Sequence, residues 1–321
     1  MVLDLETTGC APGAAAITEV GAVKYRAGVC EGELQTLVNP GSAKAAASPT
    51  AGAGARACEG DRERLVPPFI AGLTGITDGM VSPAPPIAAV LPSVLEFVGR
   101  AVVVGHNVRF DLAFLGAALA EHGYPPLGCD SLDTVALARR LMHDETPNLR
   151  LQTLAHHIRT DRAPIHRALD DARATADLLH VLLERAGTLG VLTLDDLLAV
   201  PAVAHRHELA KLKLAARVPR RPGVLVFRDV RGRVLHVGRA ANLRARVLDY
   251  FAGDDRQVCR LLRQTCAIEH IVCTDPVEIA LCAVRLVAAH DPPFNRRPKA
   301  RKRARRAPSP GPAPASALPR P

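Results

Sequence analysis

At 321 residues the chain is long enough for two domains that each bury a core. Apolar residues make up 48% of it, but no apolar run approaches the ~20 residues that span a bilayer and no signal peptide is visible, so we expect a soluble protein with no membrane role. The net charge of +9 is uneven, because residues 1–183 are net acidic, residues 184–295 are net basic, and residues 296–321 hold nine basic and no acidic side chains.

The first half of the chain shows alternating strand and helix patterns. Short apolar runs and period-two patterns predict strands at 1–5, 17–25, 34–38 and 101–104. Helical spacing of apolar residues predicts helices at 87–98, 110–122, 133–142 and 168–185. Three strands followed by mixed helices and strands predict an α/β domain with a mixed sheet.

Composition and turn signals divide the rest of the chain. Residues 43–65 are rich in Ala and Gly without periodicity, which predicts a flexible surface insertion. Residues 186–217 are predicted to form a mostly helical connector. GVLVF and RVLHVG, from Gly223 onward, predict two strands around a hairpin turn, with helices at 242–251 and 278–289. The basic, Pro/Ala-rich end is predicted to be disordered.

An acidic pair follows the first apolar run, in MVLDLETTG. Because alternation puts residues i and i+2 on the same face of a strand, we expect Asp4 and Glu6 to lie side by side. Like charges this close repel, and a bound divalent cation is the usual remedy. Only three residues precede Asp4, which is short for a central strand. We therefore expect either a start upstream of Met1 or a first ligand that is held less firmly.

Two further stretches place polar residues beside predicted elements. In VVVGHNVRFDLAFL a buried strand runs into GHN, and Asp111 falls on the first turn of a helix. In HRALDDARATADLL, His166 precedes a helix, and Asp170 and Asp171 fall in or near its first turn. Taken singly, each has an ordinary structural role: Asn107 as a helix cap, His166 as a loop histidine, and both aspartates as favourable charges at a helix amino terminus.

Taken together, D-x-E-T-T-G, H-N-x-x-F-D and H-x-A-L-x-D-A, in this order, resemble the DEDDh family of 3′→5′ exonucleases, which includes the proofreading subunit of the bacterial replicative polymerase. The resemblance implies a ribonuclease-H-like fold, with helices flanking a mixed sheet, for residues 1–183. Asp171 rather than Asp170 matches the family's acid, because the motif places it five residues after the histidine. The implied site consists of the metal ligands Asp4, Glu6, Asp111 and Asp171, the general base His166, and the residues around the substrate's 3′ end, Thr7, Thr8, Gly9, His106, Asn107 and Phe110.

Such a site suits two divalent cations, Mg²⁺ or Mn²⁺. Two-metal sites clamp the attacking and leaving oxygens of a phosphodiester, and carboxylates supply the hard oxygen ligands that these ions prefer. Imidazole groups titrate near neutral pH, so His166 is expected to take a proton from the attacking water. The sequence therefore predicts a metal-dependent exonuclease that releases nucleotides from DNA 3′ ends.

Residues 223–295 resemble a GIY-YIG domain, most like that of the bacterial excision-repair nuclease. The hairpin, the helix NLRARVLDYF and the final PPFN carry this resemblance. The catalytic positions mostly differ, since Leu225 and His236 stand where the family has tyrosines and Ala283 stands where it has a metal-binding glutamate. We therefore expect a module that does not cleave.

Several basic residues of this module are expected to hold DNA instead. Arg239 replaces the family's usual lysine, whereas Arg246 and Tyr250 match. Arg239, just before a helix, and Arg244 and Arg246, on it, are predicted to contact phosphates. A structural remnant with a solvated basic face is the alternative.

The joined modules resemble a group of actinobacterial DEDD exonucleases. The expected division is an exonuclease domain at 1–183, a helical linker at 184–217, a GIY-YIG-like domain at 218–297 and a disordered basic tail at 298–321. Basic segments favour polyanions, so DNA with single-stranded or frayed 3′ ends is the expected partner, although a tail that only aids solubility is the alternative. A DNA polymerase or excision-repair proteins are candidate partners, and a cytoplasmic, nucleoid-associated location is expected.

Three other functions are weighed against this one. One is a DNA-repair adaptor with weak or lost nuclease activity, and another is an RNA exonuclease with the same fold. An endonuclease that acts through the second half is disfavoured by Leu225 and Ala283.

Overall fold

A five-stranded mixed sheet is built from the first half of the chain. The computed structural model describes residues 1–41, 64–142, 144–160, 163–203, 209–253 and 255–295. The strands are β1 (Val2–Thr7), β2 (Ile17–Arg26), β3 (Val29–Leu37), β4 (Val103–Gly105) and β5 (Ser131–Asp133). Their order is β3-β2-β1-β4-β5, with β1, β2 and β3 antiparallel and β1, β4 and β5 parallel. β1 is therefore the central strand.

Helices cover both faces of this sheet. They are α1 (Pro68–Thr74), α2 (Asp78–Val81), α3 (Ile87–Val98), α4 (Val108–Glu121), α5 (Thr134–Leu141), α6 (Leu151–Ile158) and α7 (Ala168–Thr188). On one face Leu3 and Leu5 of β1 pack with residues of α3 and α4. On the other, Val2 and Val23 pack with residues of α5, α6 and α7. The expected ribonuclease-H-like mixed sheet is confirmed.

A second, smaller sheet lies in the second half. Its strands β6 (Gly223–Arg228), β7 (Val234–Ala240) and β8 (Ala267–Val272) are antiparallel in the order β7-β6-β8. The helices are α9 (Leu243–Ala252), α10 (Arg256–Gln264) and α11 (Pro276–His290). α11 packs on one face, against Val224 and Val226, and α9 contributes to the apolar cluster on the other. This small α/β unit is the expected GIY-YIG-like fold.

The described residues between the two sheets, 189–203 and 209–222, pack against both of them. They contain α8 (Leu194–Ala199) and two short 3-10 turns, Val200–Ala202 and Leu212–Leu214. Val200 and Leu212 are fully buried in a cluster that also holds Leu182 of α7 and Phe227 of β6. Apolar packing is therefore continuous from the large sheet through this segment to the small one. The exact domain boundaries stay a prediction.

Several elements differ from their predicted bounds. α3 begins and ends where the periodicity places it, but β3 begins five residues before the predicted start at residue 34. Its early part was missed because it is an exposed edge without apolar alternation, with Val29 67% exposed. β5, β8 and α6 were not predicted at all. Most of the predicted insertion at 43–65 and the whole basic tail lie outside the described residues.

The amino-terminal strand is held on both sides. The Met1 amino group donates to the Val102 carbonyl at 3.0 Å, and Val104 N donates to the Met1 carbonyl at 2.8 Å. Antiparallel pairing with β2 holds the other edge. Within the described ranges, no helix is both long and apolar enough to cross a membrane.

Candidate active site

The central strand places two carboxylates on one face of the large sheet. Asp4 and Glu6 alternate with Leu3 and Leu5, which point into the apolar core on the opposite face. Asp4 and Glu6 are partly exposed, whereas their apolar neighbours are buried. The pairing of β1 with β2 shifts register between Glu6 and Thr7, so the regular ladder is interrupted at the edge of this acidic face.

Asp111 joins this pair from the first turn of α4. The Leu5 backbone N–H donates to its Oδ1 at 3.0 Å, which fixes the carboxylate against β1 between the positions of Asp4 and Glu6. The side chain is buried, with 3% of its surface exposed. Because β4 runs parallel to β1 and leads directly into α4, the helix begins beside the acidic pair.

α7 supplies the remaining members of the site. Asp171, in its first turn, accepts a hydrogen bond from Ile165 N at 2.9 Å and so closes the loop that carries His166. Ligand atoms of Glu6, His166 and Asp171 all lie within 4.8 Å of one another. Asp170 instead forms an ion pair with Arg173 at 3.1 Å. The structure therefore brings Asp171, rather than Asp170, to the acidic pair.

The electrostatics of the site are those of crowded carboxyl groups, of which Asp111 and Asp171 are buried and Asp4 and Glu6 are partly buried. Burial, followed by the charges of Asp111 and Asp171, raises the pKa of Asp4 well above its ordinary value. Burial and the Asp171 charge raise the pKa of Glu6 to about 8. Burial raises the pKa of Asp111 to about 7 and also raises that of Asp171. A cluster of this kind disfavours its own ionised form, and a bound cation would reverse that effect.

The residues expected around the substrate's 3′ end divide into two groups. The first is the loop after β1, where Thr7 Oγ1 donates to the Gly9 carbonyl at 2.7 Å and Thr8 Oγ1 accepts from Ala16 N at 2.9 Å. Both threonines are buried, and Gly9 packs close to Ala15. These contacts set the shape of the loop beside Glu6.

The second group lies between β4 and α4. Asn107 is exposed, has left-handed backbone with φ 72°, and does not cap the helix with its side chain. Phe110 is half-buried against Phe114, with ring centroids 4.9 Å apart. His106 differs, because its ring nitrogens contact Thr134 Oγ1 at 2.9 Å and the Leu149 carbonyl at 2.8 Å. Both nitrogens are thus engaged within the protein, and burial lowers the pKa of His106.

In the small sheet, a polar cluster surrounds Tyr250. Its hydroxyl lies 2.8 Å from His236 Nε2, and the Arg246 guanidinium lies 4.9 Å from its ring centroid. Burial raises the pKa of Tyr250 and lowers that of His236. Arg239 is exposed at the end of β7. Leu225 is fully buried in the core, and Ala283 on α11 is 7% exposed.

Arg244 does not lie where it was expected. It is 6% exposed, its Nη1 donates to the Ala215 carbonyl at 2.6 Å, and its Nη2 pairs with Asp196 of α8. Asp196 is fully buried. The prediction that Arg244 contacts phosphates is therefore wrong, because Asp196 and Ala215, which precede the small sheet, cover this side of α9 and hold the guanidinium in a structural ion pair.

Comparison with known proteins matches two separate parts of the chain. The family model described as Exonuclease (RNase_T) matches residues 55–179, and the model described as UvrC-like GIY-YIG domain matches residues 221–296. The DNA polymerase III subunit epsilon of Aquifex aeolicus is 32% identical over 187 residues, which are 57% of this chain and 80% of that protein. The chain belongs to the exonuclease family.

Two further similarities were found, one to a longer protein and one to a solved structure. A Mycobacterium tuberculosis protein named as a bifunctional exonuclease/endonuclease is 42% identical over 308 residues, or 93% of this chain. The chain spans 44% of that relative's length. A solved structure of exonuclease X with 5′-overhanging duplex DNA is 22% identical, covers 62% of this chain and 98% of its own, and has a TM-score of 0.43.

The exonuclease domain also contains supporting residues that sequence reasoning missed. Glu19 on β2 is fully buried beside Glu6 and binds Arg167 through both carboxylate oxygens, at 2.7 and 3.0 Å. It also accepts from Ala168 N at 3.0 Å, at the start of α7. Gln152 Nε2 lies 3.3 Å from His166 Nε2. The available signal for Glu19 was that it is the only charged residue in the first seven residues of β2, ITEVGAV.

Gly21 lets α7 approach the sheet of the exonuclease domain. It pairs with Asp4 across the strands, and a Cβ placed on it would lie 2.1 Å from the Ala168 carbonyl carbon and 2.2 Å from Leu169 N. Only glycine fits this contact. The helix that carries Asp171 therefore lies directly against the strand next to Asp4.

Proposed function

We propose that residues 1–183 form a metal-dependent 3′→5′ exonuclease that releases nucleotides from DNA 3′ ends. The observation that carries this proposal is the gathering of Glu6, His166 and Asp171, with ligand atoms within 4.8 Å of one another, next to Asp111 and Asp4. Elements far apart in the sequence supply these side chains. The relationship to a polymerase III subunit epsilon supports the same chemistry.

The donor set fits divalent cations such as Mg²⁺ or Mn²⁺. Carboxylate oxygens are the hard ligands that these ions prefer. The raised pKa values of Asp4, Glu6, Asp111 and Asp171 reflect a concentration of negative charge that a cation would offset. We propose that these four carboxylates hold two ions, with the His166 ring beside them. When bound, such ions neutralise phosphate charge and activate water.

His166 is proposed as the general base. Its backbone has φ 58°, a left-handed conformation that a residue with a side chain adopts at some cost. The conformation is held from both sides, by the Ile165–Asp171 hydrogen bond and by the Arg167–Glu19 ion pair. The nearby Gln152 amide would orient the ring. In this role His166 takes a proton from the attacking water.

The substrate surface is proposed to include the loop after β1 and the turn before α4. Thr7, Thr8 and Gly9 on one side, and Asn107 and Phe110 on the other, would line the terminal nucleotide. His106 would act by shaping that turn, since its ring nitrogens are already engaged. The basic second half and tail would raise the local concentration of a polyanion that the acidic site alone repels.

We propose a cytoplasmic protein that acts on single-stranded or frayed DNA 3′ ends during repair or proofreading, together with a DNA polymerase or excision-repair proteins. The second half is proposed not to cleave, because Leu225, His236 and Ala283 replace the residues that supply base and metal ligand in the family it resembles.

The deciding experiment compares single-stranded DNA labelled at its 5′ end with the same strand labelled at its 3′ end, with Mg²⁺ or with EDTA. We expect the 3′ label to appear at once in mononucleotides and the 5′ label to appear in a ladder of shortening strands, with neither product in EDTA. A 5′→3′ ladder, or equal activity in EDTA, would contradict the proposal. RNA of the same sequence tests the RNA alternative directly.

A matched pair of variants ties this activity to the site. Asp171→Asn should abolish nucleotide release while leaving DNA binding, because it removes a proposed ligand. Asp170→Asn changes the neighbouring residue by the same chemistry but lies in an ion pair with Arg173, so it should stay active. Equal activity of the two variants would remove Asp171 from the mechanism.

A further inference from the structure

The small sheet carries a cavity of about 640 Å³ that the proposed exonuclease reaction does not use. It lies between β7, α9 and α11. Its volume falls in the range of sites for small organic ligands. One wall is polar, with His236, Arg239, Arg246, Tyr250 and Asn295, and the other is mainly apolar, with Ala280, Ala283, Val284, Val287 and Ala288.

The polar wall presents positive charge. The backbone of Arg239 pairs with β6, but its exposed side chain makes no hydrogen bond or ion pair within the described part of the chain. Arg246 lies over the Tyr250 ring, and its nearest carboxylate, that of the exposed Asp249, is 3.8 Å away. Exposed pairs of this length contribute little, so both guanidinium groups can bind an anion. Guanidinium matches the geometry of a phosphate group through paired hydrogen bonds.

Among the residues that the structure describes, no carboxylate lines the cavity. Its lining includes neither Asp nor Glu, and Ala283 occupies the position of the metal-binding glutamate in the resembled family. Burial raises the pKa of the Tyr250 hydroxyl and lowers the pKa of the His236 imidazole, whose Nε2 lies 2.8 Å from that hydroxyl. The lining therefore offers donors and positive charge for a phosphate, without the hard anionic ligands that would recruit a divalent cation.

The opposite wall of the cavity, formed by α11, is apolar. Val284 is 64% exposed, and Leu281 and Val277, one and two turns before it on α11, are 47% and 74% exposed. These positions share one face of the helix. The alanine at 283 extends this surface into the cavity, where a glutamate would have placed a charge. A planar base would cover apolar area here, while its phosphate meets the arginines.

We propose that this cavity is a metal-independent nucleotide site, which holds a phosphate group on Arg239 and Arg246 and an unpaired base against α11. Double-stranded DNA would not fit in this way, because its bases are stacked away from the protein. The ligand is either one nucleotide unit of a single strand or a free deoxynucleoside monophosphate, the product expected from the proposed exonuclease. The site itself stands independently of that activity.

Binding by the full chain tests the proposal. All proteins carry Asp171→Asn so that the substrate survives, and labelled oligo-dT and dTMP are titrated by fluorescence anisotropy and calorimetry, in EDTA and in Mg²⁺. We expect Arg239→Ala and Arg246→Ala each to weaken binding in EDTA roughly tenfold, the loss of one charge-assisted contact. Arg260→Ala removes the same charge from the exposed face of α10, away from the cavity, and should leave binding unchanged.

Two further variants address the apolar wall. Ala283→Glu and Val284→Glu place a negative charge in the apolar wall that is proposed to take the base, inside a cavity that also holds a phosphate, and should weaken binding in EDTA at least tenfold, while Val284→Ala should have a smaller effect. Binding of dTMP with the same arginine dependence identifies the free nucleotide as a ligand, and binding of oligo-dT alone identifies the nucleotide unit of a strand. The proposal is overturned if the cavity arginines behave like Arg260, or if binding by Arg239 and Arg246 requires Mg²⁺. Melting temperatures of all variants exclude unfolding as the cause.

Discussion

Glu19 and Arg167, 148 residues apart in the sequence, form a two-point ion pair that fastens the start of α7 to the large sheet. The carboxylate is fully buried, whereas the Arg167 side chain is 28% exposed. The pair lowers the pKa of Glu19 against the effect of burial, and Gln35 and Ala168 N contribute hydrogen bonds. Because His166 and Asp171 flank this anchor, it positions the proposed base and one proposed ligand.

From this ion pair we predict that removing Arg167 lowers stability more than removing the charge of Glu19. Arg167→Ala leaves a buried, unpaired charge beside Glu6 and should lower the free energy of unfolding by about 3–5 kcal/mol, as expected for a broken buried pair. Glu19→Gln removes the buried charge itself and should cost less. Urea unfolding of both variants, and of the double variant Glu19→Gln/Arg167→Ala, measures this difference.

An exposed pair on the same sheet provides the control. Arg26 and Glu31 are 2.5 Å apart with side chains 78% and 36% exposed, so Arg26→Ala should change stability by less than about 1 kcal/mol. If Arg167→Ala costs no more than Arg26→Ala, the anchoring role assigned to Glu19 is wrong.

The close contact at Gly21 leads to a second prediction, that a larger side chain there moves α7 and with it Asp171. A methyl group at this position meets the backbone of α7 at 2.1 Å, which a backbone cannot relieve without moving the helix. Gly21→Ala should cost at least about 1–3 kcal/mol of stability, as for overpacked cores, and should displace Asp171 from Asp4. We expect loss of nuclease activity even in the fraction of the protein that remains folded, measured by activity per folded molecule.

Gly116 of α4 offers the same substitution without the clash. Apart from the backbone of its own helix and its chain neighbours, no described atom lies within 4 Å of a Cβ placed there, and alanine favours helix over glycine by about 0.5–1 kcal/mol. Gly116→Ala should therefore keep its activity and gain slightly in stability. Equal losses in the two variants would point to glycine replacement in general rather than to the contact with α7.

The carboxylate cluster predicts how stability depends on pH without metal. The pKa values of Glu6, about 8, and Asp111, about 7, exceed those of the unfolded chain, so the folded protein holds protons that the unfolded chain has released. The free energy of unfolding should then fall as pH rises through this range. Melting between pH 6.5 and 8.5 in EDTA measures the slope. The lowered pKa values of His106, His236 and the Met1 amino group act in the opposite sense, because the unfolded chain keeps their protons to higher pH, so the Glu6→Gln variant is needed to isolate the carboxylate contribution.

Added Mg²⁺ should cancel that slope, because a cation stabilises the ionised carboxylates. Glu6→Gln should flatten it in EDTA, whereas Glu96→Gln, at an exposed position on α3, should leave it intact. A melting temperature that rises with pH in EDTA over this range would contradict the assignment of the cluster.

Many helices and strands could be predicted from local patterns in the sequence. α3 has a regular apolar stripe and ends at Gly99, so its bounds were found from the sequence. β5 has three residues and depends on parallel pairing with β4, which no local signal records. β3 extends along an exposed edge because β2 offers it a partner, although its early residues lack alternation. Short and edge elements are thus set by tertiary pairing rather than by sequence period.

In the candidate site, too, the residues within local motifs were predicted from the sequence, whereas their long-range supporting contacts were not. Three short motifs located its carboxylates and histidine, because each lies at the end of a strand or the start of a helix. The supporting contacts of Glu19, Gln152 and Gly21 join segments far apart in the sequence, so they required the structure. Arg244 shows the converse error, since its position on the helix suggested a free surface, whereas α8 covers it through Asp196.

Arg244 and Arg246 lie two residues apart on α9. We predict that replacing Arg244 lowers stability, whereas replacing Arg246 weakens DNA binding. Arg244 is buried against Asp196, so Arg244→Ala leaves that buried carboxylate unpaired and should lower the free energy of unfolding by about 3–5 kcal/mol. Its effect on DNA affinity should be small once the fraction folded is taken into account. Arg246 is exposed on the cavity, so Arg246→Ala should weaken DNA binding with little change in stability. Urea unfolding and oligonucleotide binding on the same two proteins separate these roles, and a direct loss of affinity in folded Arg244→Ala would restore Arg244 to the DNA surface.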